Sequence, residues 1–147
     1  MSPVITEYLL DTNVLSELLR QRPSPKVVSR LQGLRASQLF ASEVSRFELR
    51  YGASLHPDGD RLWRRIESEL LPLVQWLPVG AEVALRAADQ AARDRRAGRP
   101  SGGVADPLIA ATALVRGCVM VTRNLRHFDG VEGLVVENWF DEPTPLR

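Results

Sequence analysis

Tyr8-Leu9-Leu10-Asp11-Thr12-Asn13 decides how the chain is read: a short apolar strand runs into an acid and then into residues that start helices. A charged group where a buried strand ends is costly unless something binds it. Asn13 can cap a first helix reaching Leu18-Leu19, and the segment from Arg20 to Pro25 breaks it. Beyond that point strands and helices alternate. Ser24-Pro25 opens a short helix carrying Val27, Val28 and Leu31, Gln38 to Ala41 reads as a second strand, and Ser42 caps a helix over Glu43 to Leu55. Asp60 is expected to cap a helix with Leu62, Trp63, Ile66 and Leu70 inward, ended by Pro72. Val74 to Leu77 is a third strand, Ala81 to Ala97 an Ala-rich helix, and Gly98 to Gly103 a loop flexible enough to wrap a ligand. Asp106-Pro107 opens a helix that is apolar or small almost all round, which implies a central, buried element stopped by Gly117. Cys118 to Thr122 and Leu134 to Val136 are the last strands. Such alternation is the signature of an α/β fold with a mostly parallel sheet.

Composition bounds the function. The 147 residues fit one domain, residues 1–147, large enough to bury a core without a disulfide or structural metal. Hydrophobic residues are 44% and charged residues 25%, the balance of a soluble globular protein rather than a membrane or disordered one. No apolar run approaches the ~20 residues of a bilayer span, and Met1-Ser2-Pro3 lacks the basic region of a secretion signal, so the expected compartment is the cytoplasm. Cys118, the single cysteine, lies in an apolar run and reads as core packing. A net charge of +1 argues against a protein that grips long duplex DNA by itself. Positive charge is nevertheless concentrated in Arg93, Arg95, Arg96 and Arg99, and Lys26 is the only lysine. This cluster is either a solvated helix end or a phosphate contact, for which the forked guanidinium is the better donor.

Two more acids stand at odd positions. On the third helix Val44, Phe47, Tyr51 and Leu55 form an apolar stripe at helical spacing, with Glu48 in its midst, pointing where the core should be. It must meet an Arg, a metal or a proton. Asp106, ahead of Pro107, is either an N-cap or a ligand at the sheet's rim. In an open parallel sheet ligands bind beyond the carboxyl ends of the strands, and Asp11, Asp106 and Asn124 all fall on that rim, with Glu48 able to reach it. Three converging carboxylates repel one another unless a cation neutralises them, and oxygen donors without clustered His or Cys select Mg2+ or Mn2+. His56 and His127 read as surface or packing residues, not as half of a zinc site. A divalent cation with several retained waters suits phosphodiester hydrolysis.

Four blocks of the sequence also carry a resemblance: Leu10-Asp11-Thr12-Asn13-Val14-Leu15-Ser16-Glu17, Glu48-Leu49-Arg50-Tyr51-Gly52, Asp106-Pro107-Leu108-Ile109-Ala110-Ala111-Thr112-Ala113, and Val121-Thr122-Arg123-Asn124 to Phe128. Together, and in this order, they resemble the signature blocks of PIN-domain nucleases, and more narrowly the VapC-type toxins of bacterial toxin–antitoxin pairs. The resemblance implies a PIN-like three-layer fold, a five-stranded sheet between helices, and a Mg2+- or Mn2+-dependent endoribonuclease. It implies a homodimer silenced by a VapB-type antitoxin, through which alone the complex meets operator DNA. By position, Asp11 and Asp106 are then the principal metal ligands, Glu48 the third acid, and Thr12, Asn13 and Thr122 supporting polar groups. Asn124 stands where many relatives carry Asp, and an amide orients water or a ligand without supplying charge. Arg95, Arg96 and Arg99 are the candidates for RNA phosphate.

Two other readings compete. An aspartyl phosphotransferase or phosphatase also begins with an acid after its first strand, but it needs a second acid two residues on, or an acidic cluster, together with an active-site lysine. Here position 13 is Asn, and Lys26 sits in a Pro-flanked segment. The other is a catalytically inactive PIN-like partner that only scaffolds an antitoxin–DNA repressor complex.

Overall fold

Short β-branched and leucine-rich segments pair into one sheet of five strands in the computed structural model, which describes residues 4–99 and 103–140. The strands are β1 (Tyr8–Leu10), β2 (Leu39–Ser42), β3 (Gln75–Leu77), β4 (Val119–Val121) and β5 (Val136–Glu137). Every pairing is parallel and the order is β3-β2-β1-β4-β5, with Tyr8 opposite both Leu39 and Val119. The chain moves outward from β1 through β2 to β3, then returns to β4 on the other side. The direction of winding therefore reverses between β1 and β4, and a crevice opens there at the carboxyl ends of the strands.

Among the described residues the α-helices are α1 (Thr12–Glu17), α2 (Pro25–Gln32), α3 (Glu43–Leu55), α4 (Gly59–Arg65), α5 (Ala81–Arg96) and α6 (Ala105–Arg116). Successive strand residues face opposite ways, so the sheet has two cores. Leu10, Leu39, Ala41 and Val121 pack with Val14, Leu15, Val27, Leu49 and Ala53 from α1, α2 and α3. On the other face Leu9, Phe40 and Met120 meet Ile109, Ala110 and Ala113 of α6, together with Phe128. Helices thus cover both faces, giving three layers. The all-round apolar helix is the central element expected, α6 being buried from Ile109 to Ala113. Gly117 ends it at φ 84°, a left-handed conformation, with its N–H returning to Ala113 and Leu114. Val83 and Ala87 of α5 pack on Ala111. Cys118 is buried and its thiol is pushed up to about 11 by burial, in keeping with a packing role.

Several local expectations are corrected. Asp11, not Asn13, caps α1, and the helix ends at Glu17. Asp11 is extended and accepts from the N–H of Thr12, while the Asn13 side chain is engaged elsewhere. Asp60 lies in the first turn of α4 rather than at its cap, where Asp58 stands. A Cβ on Gly59 would collide with the Ala53 carbonyl oxygen, so only glycine lets α4 start hard against the end of α3. Strand β5 begins at Val136, two residues later than expected.

The stripe on α3 has the right period and the wrong phase. Phe47, Tyr51 and Leu55 are 69%, 59% and 70% exposed, and the helix buries Ser45, Leu49 and Ala53 instead. Polar Ser45 goes inward because Thr12 supplies a hydroxyl partner there. Of the loop expected over Gly98 to Gly103, residues 100–102 lie outside the described residues. Among the described residues, no helix is long and apolar enough to cross a membrane.

Candidate active site

The site is assembled where β1 and β4 end side by side. The backbone N–H of Asp11 donates to the Val121 carbonyl at 2.9 Å, which fixes the two strand ends together. One residue beyond, the Thr122 hydroxyl donates to Asp11 Oδ2 at 2.7 Å, and Thr12 N–H donates to Asp11 Oδ1 at 2.8 Å. The Asn13 amide bridges this pair, donating to Asp11 Oδ2 at 3.3 Å and to Thr122 Oγ1 at 3.4 Å. Its carbonyl oxygen accepts from Arg123 N–H at 3.2 Å. Asn124 closes the turn through its own N–H, which donates to Thr122 Oγ1 at 3.1 Å.

Two further elements bring acids to this crevice. From α3, Glu48 is half-buried, and its Oε1 accepts from the Thr12 hydroxyl at 2.6 Å, with Ser45 Oγ 2.8 Å from the same hydroxyl. Among the described residues its partner is thus a hydroxyl, not the arginine that a structural salt bridge requires. From α6, Asp106 is the second residue of a helix that starts at Ala105, so it is not the N-cap. Its Oδ2 lies 2.8 Å from His127 Nδ1.

Electrostatics tie the acids together. Burial pushes the Asp11 carboxyl up to about 6, partly offset by the bonds from Thr122 and Thr12, and the charges of Asp106 and Glu48 raise it further. Asp11 is 5% exposed. Asp106 is also raised, chiefly by burial, with His127 pulling the other way. A carboxylate held against its own ionisation at a strand end is an arrangement that a cation relieves.

Among the described residues, no group of three or more His, Cys, Asp or Glu side chains is placed so that it could hold a metal ion. Each acid is instead bonded to its own neighbour: Asp11 to Thr122, Glu48 to Thr12, Asp106 to His127. Such an open set of hard oxygens fits Mg2+ or Mn2+, which keep several waters and take one or two protein carboxylates. It does not fit a closed tetrahedral zinc site.

Arg95 and Arg96 are exposed at the end of α5, and Arg99 Nη1 lies 3.9 Å from Asp94 Oδ1.

Three polar residues escaped sequence reasoning. Ser45 lies three positions before Glu48, on the face that proves to be buried. Glu17 is 6% exposed; it accepts from Ser24 N–H at 2.9 Å and from Arg20 at 3.4 Å, latching the chain between α1 and α2. His127, expected to be a surface or packing residue, is bonded to a candidate ligand. Its place three residues after Asn124 was the available signal, because one 3-10 turn, Leu125–Phe128, carries it back toward the rim.

Comparison with known proteins agrees with this fold. The PIN domain family matches residues 8–134. VapC ribonuclease Y4jK of Sinorhizobium fredii is 32% identical over 89% of this chain and 96% of its own length. Toxin FitB of Neisseria gonorrhoeae is 34% identical over 90% and 99%. The crystal structure of DNA-bound VapBC from Salmonella typhimurium superposes with a TM-score of 0.81 at 29% identity, covering 92% of this chain and 99% of that one. The parallel five-stranded sheet, the acids gathered at its switch point and the near-complete match to these relatives have one joint reading: the chain belongs to the PIN-domain family, among its VapC-type members.

Proposed function

We propose that this protein is a metal-dependent endoribonuclease toxin that hydrolyses RNA phosphodiester bonds in the cytoplasm and is neutralised by a VapB-type antitoxin. The observation that carries the reading is the buried Asp11 carboxyl at the switch point, raised to about 6 with the charges of Asp106 and Glu48 adding to the rise. Asp11, Asp106 and Glu48 would hold Mg2+ or Mn2+. A bound cation of this kind neutralises phosphate charge and acidifies a water for in-line attack. The chain's own residues do the positioning. Thr122, Thr12 and Asn13 fix the Asp11 carboxylate on both oxygens, and Thr12 shares its hydroxyl with Glu48. Asn124 is exposed beside them and offers an amide that orients water or RNA without adding charge.

The relatives, a VapC ribonuclease and a toxin by name, support the activity, and the DNA-bound VapBC assembly supports an antitoxin partner that carries the DNA contact. The exposed Phe47, Tyr51 and Leu55 stripe supports protein partners, a second copy of the chain or the antitoxin, because contiguous apolar surface of this kind is ordinarily covered. The three acids weigh against the inert-scaffold alternative.

Inducing the protein in a bacterial host and sequencing RNA ends tests the reading. New ends are expected with the parent and none with Asp106→Asn, whose fold is checked by thermal melting. Identical ends from both would end the catalytic assignment. A further expectation concerns the arginines. Replacing Arg95, Arg96 and Arg99 with Ala is expected to weaken RNA binding and, on single strands, to lower its salt slope by about 0.7 for each phosphate no longer neutralised. A slope equal to the parent's would make them a solvated helix end.

A further inference from the structure

His127 and Asp106 are joined across two elements that rest on one core. Asp106 lies in the first turn of α6, whose Ile109, Ala110 and Ala113 pack with Phe128. Phe128 is 2% exposed and is the next residue after His127, so the turn that carries the imidazole is nailed to the same cluster as the helix that carries the acid. The His127 N–H also donates to the Asn124 carbonyl at 3.1 Å, closing the turn onto the end of β4. Their contact, Nδ1 to Oδ2 at 2.8 Å, joins a His127 side chain that is 43% exposed to an Asp106 side chain that is 18% exposed, and the backbones that carry both are anchored on the same core. An ionised carboxylate can only accept, so with Asp106 ionised the contact requires the form of His127 that carries a proton on Nδ1.

We infer that His127 is a positioning residue that holds Asp106 Oδ2, so that Oδ1 is the oxygen presented to the cation. The inference rests on the endoribonuclease reading above and assigns His127 a role within it. A carboxylate otherwise turns about its last torsion and can offer either oxygen or both. One fixed donor leaves a single oxygen in a single direction. Outer partners of metal-binding carboxylates act in this way, and their loss typically weakens metal binding or activity by about 10–100-fold. Asn124, next to the same turn, supplies no charge, so the rim at the end of β4 acts on the site through orientation.

Titrating Mn2+ calorimetrically into the parent, His127→Ala, His127→Phe and His127→Asn tests this, with kcat and KM measured on an oligonucleotide spanning a mapped cleavage site. His127→Ala and His127→Phe are expected to bind Mn2+ about 10–100-fold more weakly and to lose kcat, with KM for RNA unchanged. His127→Asn places an amide nitrogen near the position of Nδ1 and is expected to recover most of both losses. Melting in EDTA distinguishes a folding defect, and the Phe variant keeps the ring's packing. An Ala variant that titrates and turns over like the parent overturns the inference. An Asn variant as impaired as Ala overturns it too, because ring shape rather than the donor would then matter. If these variants are silent while Asp106→Asn is inactive, only the role of His127 falls. If the parent takes up no Mn2+ and Asp106→Asn still cleaves, the endoribonuclease reading falls and this inference with it.

Discussion

Asp11→Asn is expected to abolish RNA cleavage while making the metal-free protein more stable at neutral pH. Loss of a direct ligand should exceed the loss of an outer partner, so activity is expected to fall by more than about 100-fold. The stability gain follows from the carboxyl's raised value of about 6 against an ordinary 3.8. Below pH 3.8 the group is protonated in both folded and unfolded chains, and there is no difference. Between 3.8 and 6 the folded chain holds the proton more tightly, so stability falls as pH rises through that window. Above 6 the penalty is complete, with an upper limit of ~3 kcal/mol. Asn carries no charge and escapes it. Part of the gain is lost, because the new amide meets the Asn13 amide where Asp11 Oδ2 had accepted from it. The Thr122 hydroxyl can turn to accept. A net gain of ~1 kcal/mol would raise Tm by roughly 2–4 °C at pH 7, and it should vanish and then reverse as the pH falls from 6 toward 4, where the charge penalty goes and the amide mismatch stays. A variant that melts below the parent at pH 7, or one that still cleaves, would contradict the electrostatic account of the site.

That carboxyl was legible from sequence because its anomaly is local: an acid directly after three strand residues needs no tertiary information to look costly. The same holds for the sheet, since alternating apolar runs and helix signals announce a parallel α/β order, and for α6, whose apolar surface all round admits only burial. Phase was not legible. The stripe of Val44, Phe47, Tyr51 and Leu55 has the period of a buried face, yet Phe47, Tyr51 and Leu55 face solvent while Ser45 is buried. The reason lies in a residue 33 positions away, the Thr12 hydroxyl that satisfies Ser45. Glu48 lies beside Thr12, close enough for its charge to act on Asp11, although the stripe used to place it is not the core. His127 was missed for a related reason. Its partner lies 21 residues earlier in the chain, and only the packing of Phe128 against α6 brings the two together.

Chelation is the second large effect. EDTA is expected to abolish cleavage, and Mn2+ or Mg2+ to restore it. Because the cation would bind the folded chain and not the unfolded one, Mn2+ at a hundred times its dissociation constant should add about 2.7 kcal/mol of stability. The same linkage gives a pH signature. Proton and cation compete for Asp11, whose carboxyl stands at about 6, so lowering the pH from 7 to 5 should weaken Mn2+ binding by about tenfold. Asp106 is raised as well, which acts in the same direction. In Asp11→Asn the melting temperature should no longer respond to Mn2+, since the group that the cation relieves is gone. The two experiments therefore constrain each other: one removes the charge from the protein, the other supplies the opposite charge, and both should relieve the same repulsion. Cleavage that persists in EDTA, or a melting temperature indifferent to Mn2+ at pH 7, would remove the cation from the reading and leave Asp11 a buried acid with only hydroxyl and amide partners.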